Sequence, residues 1–287
     1  MDRIDTQASF FAEYDAVLAR WPVVVEQIDL PSRHGTTRVN ACGPPGAPPL
    51  ILLSGGGAPS AVWYANVAEL SRTRRVYAVD ALGDRGRSVY DGEPITGLAG
   101  LMAWLDSCMD GLGVTRAQLC GHSYGGWIAL RYALHAPERV GKLILLDPTQ
   151  CFSGQRLAYR LHAVPVFARP GLRSRRRFFT WETAGAFDPG LLALMCLPFS
   201  GRSPRGARFI WPKRPADADL RALTMPVLVV LAGKGRQNSV GRLRANAQRL
   251  VPNVSITVLT QATHHTIPAV QPAELNRHLT AFLATGP

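Results

Sequence analysis

A serine between two glycines is the strongest chemical signal in the sequence. Residues 119–126 read LCGHSYGG, so Ser123 stands in the order G-x-S-x-G. Residues 114–120 predict a short strand and residues 127–135 predict a helix, which places Ser123 on a sharp turn between them. A side chain at position 121 or 125 would collide with a neighbouring strand or helix, so the turn needs glycine there. This pattern predicts a nucleophilic serine; the alternative is a glycine-rich turn that only allows close packing.

Backbone N–H groups at two places could stabilise a negatively charged oxygen. The turn at Ser123 aims the N–H of Tyr124 at the point where such an oxyanion would form. Residues 50–53 predict a buried strand, and the segment 54–57, which reads SGGG, follows it directly. Its free N–H groups favour Gly56 as the second oxyanion donor. A phosphate-binding loop is the rival interpretation, and it is excluded because no G-K-[ST] follows.

A serine hydroxyl is a poor nucleophile unless a base accepts its proton. Residues 261–268 read QATHHTIP and lie between the last predicted strand and the last predicted helix. That loop is expected at the same edge of the sheet as Ser123. His264 is therefore the predicted base, and His265 is the alternative. The geometry of the turn directs His122, next to the serine, away from the hydroxyl.

The order of the predicted elements indicates the fold class. Strands and helices alternate regularly up to residue 148 and again near the C-terminal end, which predicts an α/β fold with a mostly parallel sheet and helices on both faces. Residues 149–215 interrupt this rhythm, because they are rich in proline, glycine and arginine and carry only short helical patterns. We expect one domain over residues 1–287, with a core of residues 1–148 and 216–287 and an inserted cap of residues 149–215.

Together these features resemble the α/β-hydrolase superfamily, over essentially the whole chain outside the cap. The segments WYAN at 63–66, YAVD at 77–80, GDRGRS at 83–88 and the serine turn are similar to a bacterial carboxylesterase-like branch. The resemblance implies an α/β-hydrolase fold, hydrolysis of a carboxylic ester through an acyl-enzyme, and no cofactor or metal. It also implies the chain order serine, acid, histidine, which fits Ser123 and His264. An aspartate nucleophile is excluded because a serine holds that position.

The acid of this constellation departs from the superfamily pattern. The superfamily usually carries it just after the penultimate strand, in a Gly-x-x-Asp/Glu turn, but residues 233–238 read GKGRQN and place Arg236 there. Some superfamily members take the acid from an earlier strand end, and Asp147 occupies the corresponding position here. We therefore predict Asp147 as the acid. The alternative is a degraded or repurposed site in which Asn238, a water molecule or nothing orients His264.

Positive charge is concentrated in the predicted cap. The chain carries a formal net charge of +12, and residues 150–215 hold twelve basic residues against two acidic ones. The rest of the chain is nearly neutral, which argues against a general nucleic-acid-binding surface. Residues 173–181 read RSRRRFFTW and suggest a mouth for an acidic substrate or an acidic acyl-carrier protein. The alternative is a solvated, arginine-rich surface.

The apolar residues of the predicted cap have two interpretations. They line a pocket for an acyl group, or they form the internal core of the cap. The residues concerned are Trp181, Phe187, Leu191, Leu192, Leu194, Met195, Leu197 and Phe199.

The sequence composition bears on the cellular compartment in which the protein is expected. No apolar run reaches the roughly 18 residues that span a bilayer, and the N-terminal residues lack a secretory-signal pattern. The five cysteines are scattered without a C-x-x-C pair, which predicts buried thiols in a reducing compartment rather than disulfides or a zinc site. We expect a cytoplasmic protein.

Two further functions remain open at this stage besides ester hydrolysis of a small-molecule acyl substrate. One is a thioesterase or acyltransferase that acts on carrier-bound acyl groups. The other is a non-catalytic relative that binds a ligand or partner, for which the presence of Arg236 at the usual acid position is the reason. The sequence does not determine the oligomeric state.

Overall fold

The computed structural model describes residues 3–169, 171–199, 201 and 203–286. Eight strands within these residues form one sheet. They are β1 (Glu26–Ser32), β2 (Gly35–Cys42), β3 (Pro49–Leu53), β4 (Arg75–Val79), β5 (Ala117–His122), β6 (Val140–Leu146), β7 (Val227–Ala232) and β8 (Val254–Leu259). The order across the sheet is β1-β2-β4-β3-β5-β6-β7-β8.

The sheet is parallel from β4 to β8, and the hairpin of β1 and β2 joins one edge in antiparallel pairing. Strands β3 and β7 are continuous apolar runs that are buried over nearly their whole length. Such runs are typical of strands covered on both faces by helices. The predicted mostly parallel sheet is confirmed.

Helices cover both faces of the sheet, as predicted. In the described residues the α-helices are α1 (Arg3–Leu18), α2 (Val67–Leu70), α3 (Leu98–Gly111), α4 (Ser123–His135), α5 (Leu157–Ala168), α6 (Leu172–Thr183), α7 (Pro189–Cys196), α8 (Asp217–Arg221), α9 (Val240–Leu250) and α10 (Pro272–Ala284). One core lies on the face of α3, α4 and α9 and includes Trp104 and Trp127. The other lies on the face of α1 and α10 and includes Tyr14, Trp63 and Leu279.

Two local predictions were wrong in their boundaries. The strand that leads to the serine begins at Ala117, because Val114 closes the preceding helix instead: its N–H donates to the carbonyl of Met109 after Gly113 takes a positive φ of 66°. The sequence after the glycine-rich segment 54–57 also predicts one helix over residues 61–71, but the structure has a 3₁₀-helix at Ser60–Ala65 followed by the short α2.

Helices α5, α6 and α7 all fall between β6 and β7 along the chain. They share a small apolar cluster of their own, which consists of Tyr159, Phe178, Phe179, Met195 and Cys196. The division into a core of residues 1–148 and 216–287 and a cap of residues 149–215 remains a proposal that this cluster supports. Among the described residues, no helix combines the length and the apolar character that crossing a membrane requires.

Candidate active site

Ser123 lies at the point where β5 ends and α4 begins. Its backbone takes a positive φ of 53°, and its side chain is at the surface of a cleft, with 8% of the residue exposed. A Cβ atom at Gly121 would lie 2.3 Å from the carbonyl oxygen of Gly125, and one at Gly125 would lie 2.3 Å from the carbonyl oxygen of Leu53. The two glycines are therefore sterically required, and they permit the strained turn that presents the serine.

His264 follows β8 and reaches Ser123 from the adjacent loop. Its Nε2 atom lies 2.8 Å from Oγ of Ser123, and the residue is fully buried. This distance is that of a direct hydrogen bond. The carboxyl ends of the parallel strands bring β5 and the loop after β8 to one edge of the sheet, as the sequence predicts.

Asp147 completes a hydrogen-bonded row with these two residues. Its Oδ2 atom lies 2.6 Å from Nδ1 of His264, and only 1% of Asp147 is exposed. Asp147 directly follows β6, where its N–H donates to the carbonyl of Val230 on β7 and its φ is 39°. Because a carboxylate only accepts, Nδ1 of His264 carries the proton and Nε2 is left to accept from Ser123.

The loop after β7, where the superfamily usually carries its acid, approaches Asp147 without supplying a carboxylate. A Cβ atom at Gly235 would lie 3.6 Å from Oδ2 of Asp147. The guanidinium of Arg236 lies over the ring of Trp181 at 4.9 Å, and the buried amide of Asn238 has no hydrogen-bond partner among the described residues. The carboxylate beside His264 therefore comes from Asp147, at the end of β6, and not from the loop after β7.

Two backbone segments border the serine hydroxyl as expected for oxyanion donors. Tyr124 is in the first turn of α4, where the N–H groups have no acceptor within the helix. Gly56 lies against it: a Cβ atom at Gly56 would be 3.5 Å from Cβ of Tyr124. Both Gly56 and Ser123 line the same cavities. The role of these two N–H groups stays a prediction.

The other two histidines near Ser123 are held neutral. Burial, followed by the charge of His264, lowers the pKa of His122 to about 3, and Nε2 of His122 donates to the carbonyl of His264. Burial, followed by His264 and His122, lowers the pKa of His265 well below its usual value. The hydroxyl of Tyr159 lies 3.1 Å from Nε2 of His265. Both rings therefore act as packing and hydrogen-bonding neighbours of His264.

Glu182 on α6 was missed by the sequence reasoning. It is fully buried, and its carboxylate accepts hydrogen bonds from Oγ1 of Thr263 at 3.0 Å, from the N–H of His264 at 3.0 Å and from the N–H of His265 at 3.2 Å. These bonds tie the histidine loop to the cap. The available signal was that Glu182 is one of only two acidic residues in a strongly basic segment.

Thr149 and Gln237 were also missed. The hydroxyl of Thr149 lies 3.0 Å from Oγ of Ser123, and the side-chain amide of Gln237 donates to that hydroxyl at 2.6 Å. With its oxygen engaged as an acceptor, Thr149 can donate its proton to Ser123. The proton of Ser123 is then directed to His264, so one row of hydrogen bonds runs from Gln237 to Asp147.

Two cavities of very different size meet at Ser123. The larger encloses about 690 Å³ and lies under α5 and α6, and the smaller encloses about 30 Å³. Phe187, Leu191 and Met195 line the smaller cavity, whereas Leu194 is fully buried in the core. The apolar cap residues named from the sequence are thus divided between the pocket and the packing of the chain.

The comparison with known proteins agrees with this fold. The model of the alpha/beta hydrolase family matches residues 50–278, and the chain belongs to that family.

Particular relatives extend the likeness to the full length. The carboxylesterase YbfK of Bacillus subtilis is 29% identical over 99% of this chain and 96% of its own. The crystal structure of that esterase, CesB (YbfK), superposes with a TM-score of 0.91 and 29% identity over 99% of this chain and 100% of its own. The structure of naproxen esterase from the same organism gives a TM-score of 0.87 and 27% identity over 99% and 100% of the two chains.

Proposed function

We propose that this protein is a serine carboxylesterase in which Ser123 is the nucleophile, His264 the general base and Asp147 the acid. The observation that carries the proposal is the row of two hydrogen bonds, 2.8 Å from Ser123 to His264 and 2.6 Å from His264 to Asp147, in a buried setting. Similarity to esterases over the full chain supports the choice of an ester as substrate.

In the first half of the reaction Oγ of Ser123 attacks the ester carbonyl carbon while its proton moves to Nε2 of His264. Asp147 stabilises the resulting imidazolium through Nδ1. The carbonyl oxygen becomes an oxyanion, which the N–H groups of Gly56 and Tyr124 stabilise. The C–O bond to the alcohol then breaks, and the departing alkoxide takes the proton from His264, so an acyl-serine and a free alcohol result.

In the second half a water molecule takes the place of the alcohol. His264 accepts one proton of this water as its oxygen attacks the acyl carbon, and the same two N–H groups stabilise the second oxyanion. Collapse of the intermediate breaks the bond to Ser123 and returns the proton to its Oγ, releasing the carboxylic acid. The burial of His264 and Asp147 strengthens each of these electrostatic interactions because little water screens them.

The hydrogen bond between Asp147 and His264 argues against the alternative that the protein is a non-catalytic binding protein. That alternative rested on Arg236 at the usual acid position, and the carboxylate of Asp147 removes the need for an acid there. The proposed substrate is a small-molecule acyl ester, and the proposed location is the cytoplasm. Five free, buried cysteines among the described residues support a reducing compartment.

The choice between ester and carrier-bound thioester is tested by turnover of matched substrates. We expect higher kcat/KM for p-nitrophenyl and methyl esters than for acyl thioesters of the same chain length. A His264→Asn variant, measured in parallel, identifies turnover that belongs to this site. A higher kcat/KM for the thioesters, lost in that variant, would instead assign the protein to thioester chemistry.

Glu182→Gln is expected to lower kcat for such an ester about tenfold to a hundredfold with little change in KM. An amide has one acceptor oxygen instead of two, so the loop of His264 loses hydrogen bonds to a charged group and His264 is held less accurately. Steady-state kinetics measure the two parameters separately.

The matched control for Glu182 is Asp188→Asn, which changes the other acidic residue of the predicted cap. Asp188 forms a two-point ion pair with Arg20 and caps α7, but it does not contact the loop of His264. We expect a loss of thermal stability with kcat nearly unchanged. Equal losses of kcat in the two variants would mean that Glu182 acts only through the stability of the cap.

A further inference from the structure

The larger cavity beside Ser123 carries arginine side chains from three separate segments. Arg160 comes from α5, Arg175 from α6 and Arg208 from the chain after α7, and all three line the cavity of about 690 Å³ that also reaches Ser123. Arginine is the side chain best suited to bind a carboxylate or a phosphate, because its planar fork donates two parallel hydrogen bonds. Anion-binding side chains and the reacting serine therefore line one and the same cavity.

These positive charges lack a counter-charge in the described part of the chain. None of the three arginines forms an ion pair there with a carboxylate within 4.0 Å. Asp84 is the single described carboxylate that lines the cavity. Its two oxygens already accept from the N–H groups of Gly57 and Arg85.

Arg85 is a further, buried cation close enough to Arg175 for the two charges to repel each other. Burial, followed by the charge of Arg175, lowers the pKa of Arg85 to about 10. Nη2 of Arg85 donates to the carbonyl oxygens of Leu194 and Leu197 and so stabilises the end of α7, and Arg85 is not among the residues that line the cavity. An anion bound at Arg175 would relieve this repulsion between like charges.

The smaller cavity has a different chemical character. It encloses about 30 Å³, and its walls include Ala58, Val62, Phe187, Leu191 and Met195. This space is far smaller than the cavity of about 690 Å³ and its walls are mostly apolar, so it suits a small apolar group. Gly56 and Ser123 line both cavities, so the two sides of an ester bound at Ser123 meet different surroundings.

We propose that the substrate is an ester with one small apolar side, bound in the cavity of about 30 Å³, and one larger side that ends in a carboxylate or phosphate, bound by Arg160, Arg175 and Arg208. This inference rests on the proposed esterase function and names its substrate class. The rings of Tyr159, Phe178 and Phe179 line the same cavity and offer an apolar surface to the connecting chain.

The test uses pairs of substrates that differ only in the anionic group. Monomethyl suberate and methyl octanoate have the same chain and the same methyl ester, but only the first ends in a carboxylate. We expect kcat/KM to be at least about tenfold higher for monomethyl suberate, as charge-assisted hydrogen bonds of ordinary strength provide. A third methyl ester of the same length that ends in a phosphate identifies which anion is preferred.

Matched charge variants separate a local site from the overall charge of the protein. In Arg160→Gln/Arg175→Gln/Arg208→Gln we expect the ratio of the two kcat/KM values to fall to about one. The control removes the same number of charges at exposed positions that do not line the cavity, in Arg156→Gln/Arg169→Gln/Arg173→Gln. We expect this control to keep the ratio of the unaltered protein.

Equal kcat/KM values for the paired esters in the unaltered protein would overturn the proposal, and so would an equal fall of the ratio in both triple variants. Calorimetry with a Ser123→Ala variant measures binding of the same esters without turnover. Tighter binding of monomethyl suberate than of methyl octanoate supports the anion site even if the ester bond is not cleaved. If the unaltered protein cleaves neither ester but Ser123→Ala binds monomethyl suberate more tightly, only the esterase function is contradicted. If Ser123→Ala binds the two esters equally, the anion site is contradicted.

Discussion

Ser123→Ala is expected to lower kcat for any ester substrate by about 10⁶-fold, to the level of the residual stabilisation by the oxyanion donors. The reason is that no other hydroxyl in the described residues is hydrogen-bonded to His264 Nε2, so the acyl-enzyme cannot form. Binding of substrate should persist, because the cavities and the backbone donors are unchanged. Rapid-mixing kinetics with a p-nitrophenyl ester would show both the loss of steady-state turnover and the loss of any burst of p-nitrophenol.

The control for this variant is Ser153→Ala. Ser153 is also buried close to the end of β6, but its hydroxyl has no hydrogen-bond partner among the described residues. Its removal should leave kcat nearly unchanged and have a small effect on stability. Ester turnover that survives in purified Ser123→Ala at the rate of the unaltered protein would contradict the assignment of the nucleophile.

Asp147→Asn is the second large expected effect, with kcat lowered by about 10⁴-fold and the fold retained. The amide of asparagine can donate a hydrogen bond to Nδ1 of His264, which favours the tautomer with its proton on Nε2. That tautomer cannot accept the proton of Ser123, and the imidazolium also loses its negative neighbour at 2.6 Å. Kinetics with an activated ester, together with thermal melting, separate this effect from unfolding.

Asn238→Ala is the informative comparison for Asp147. Asn238 is the residue that the sequence offered as a rival partner for His264, and its amide has no hydrogen bond in the described structure. We expect kcat to change less than about tenfold, as for a residue outside the row of hydrogen bonds. A loss in Asn238→Ala as large as that in Asp147→Asn would return the role of the acid to the loop after β7.

The sequence predicts most of the sheet because its buried strands are short apolar runs. The sequence predicts strands over residues 75–79, 227–232 and 254–259, and β4, β7 and β8 have these bounds. Prediction is poorest where one residue type suits two local structures. Val114 is apolar and β-branched like a strand residue, but the positive φ of Gly113 makes it the closing contact of α3.

The proximity of Ser123 and His264 could be predicted because both follow strands at the carboxyl edge of the sheet and fit the chain order that the family resemblance implies. The acid remained open for a physical reason. Whether Asp147 or the loop after β7 faces His264 depends on how β6, β7 and β8 lie side by side, and spacing along the chain does not fix that order. Glu182 and Thr149 contact residues that are distant in the chain, so spacing does not identify them, and only the scarcity of acidic residues in the basic segment distinguishes Glu182.

The function of the charged residues in the cap is likewise not predictable from the sequence. Its strong positive charge is evident from composition, but composition does not distinguish a solvated surface from a binding cavity. In the structure some of these arginines line the large cavity and others do not. Arg175 lines the large cavity, whereas its neighbour Arg173 on the same helix is exposed and does not.

The most direct test of the central proposal is covalent labelling with a fluorophosphonate, followed by mass spectrometry of the peptides. Such a probe reacts with a serine that a neighbouring base activates. We predict a single adduct on Ser123, formed much more slowly in Asp147→Asn and absent in Ser123→Ala. Folded protein that carries no adduct, or an adduct on another residue, would contradict the proposal that Ser123, His264 and Asp147 form the catalytic site.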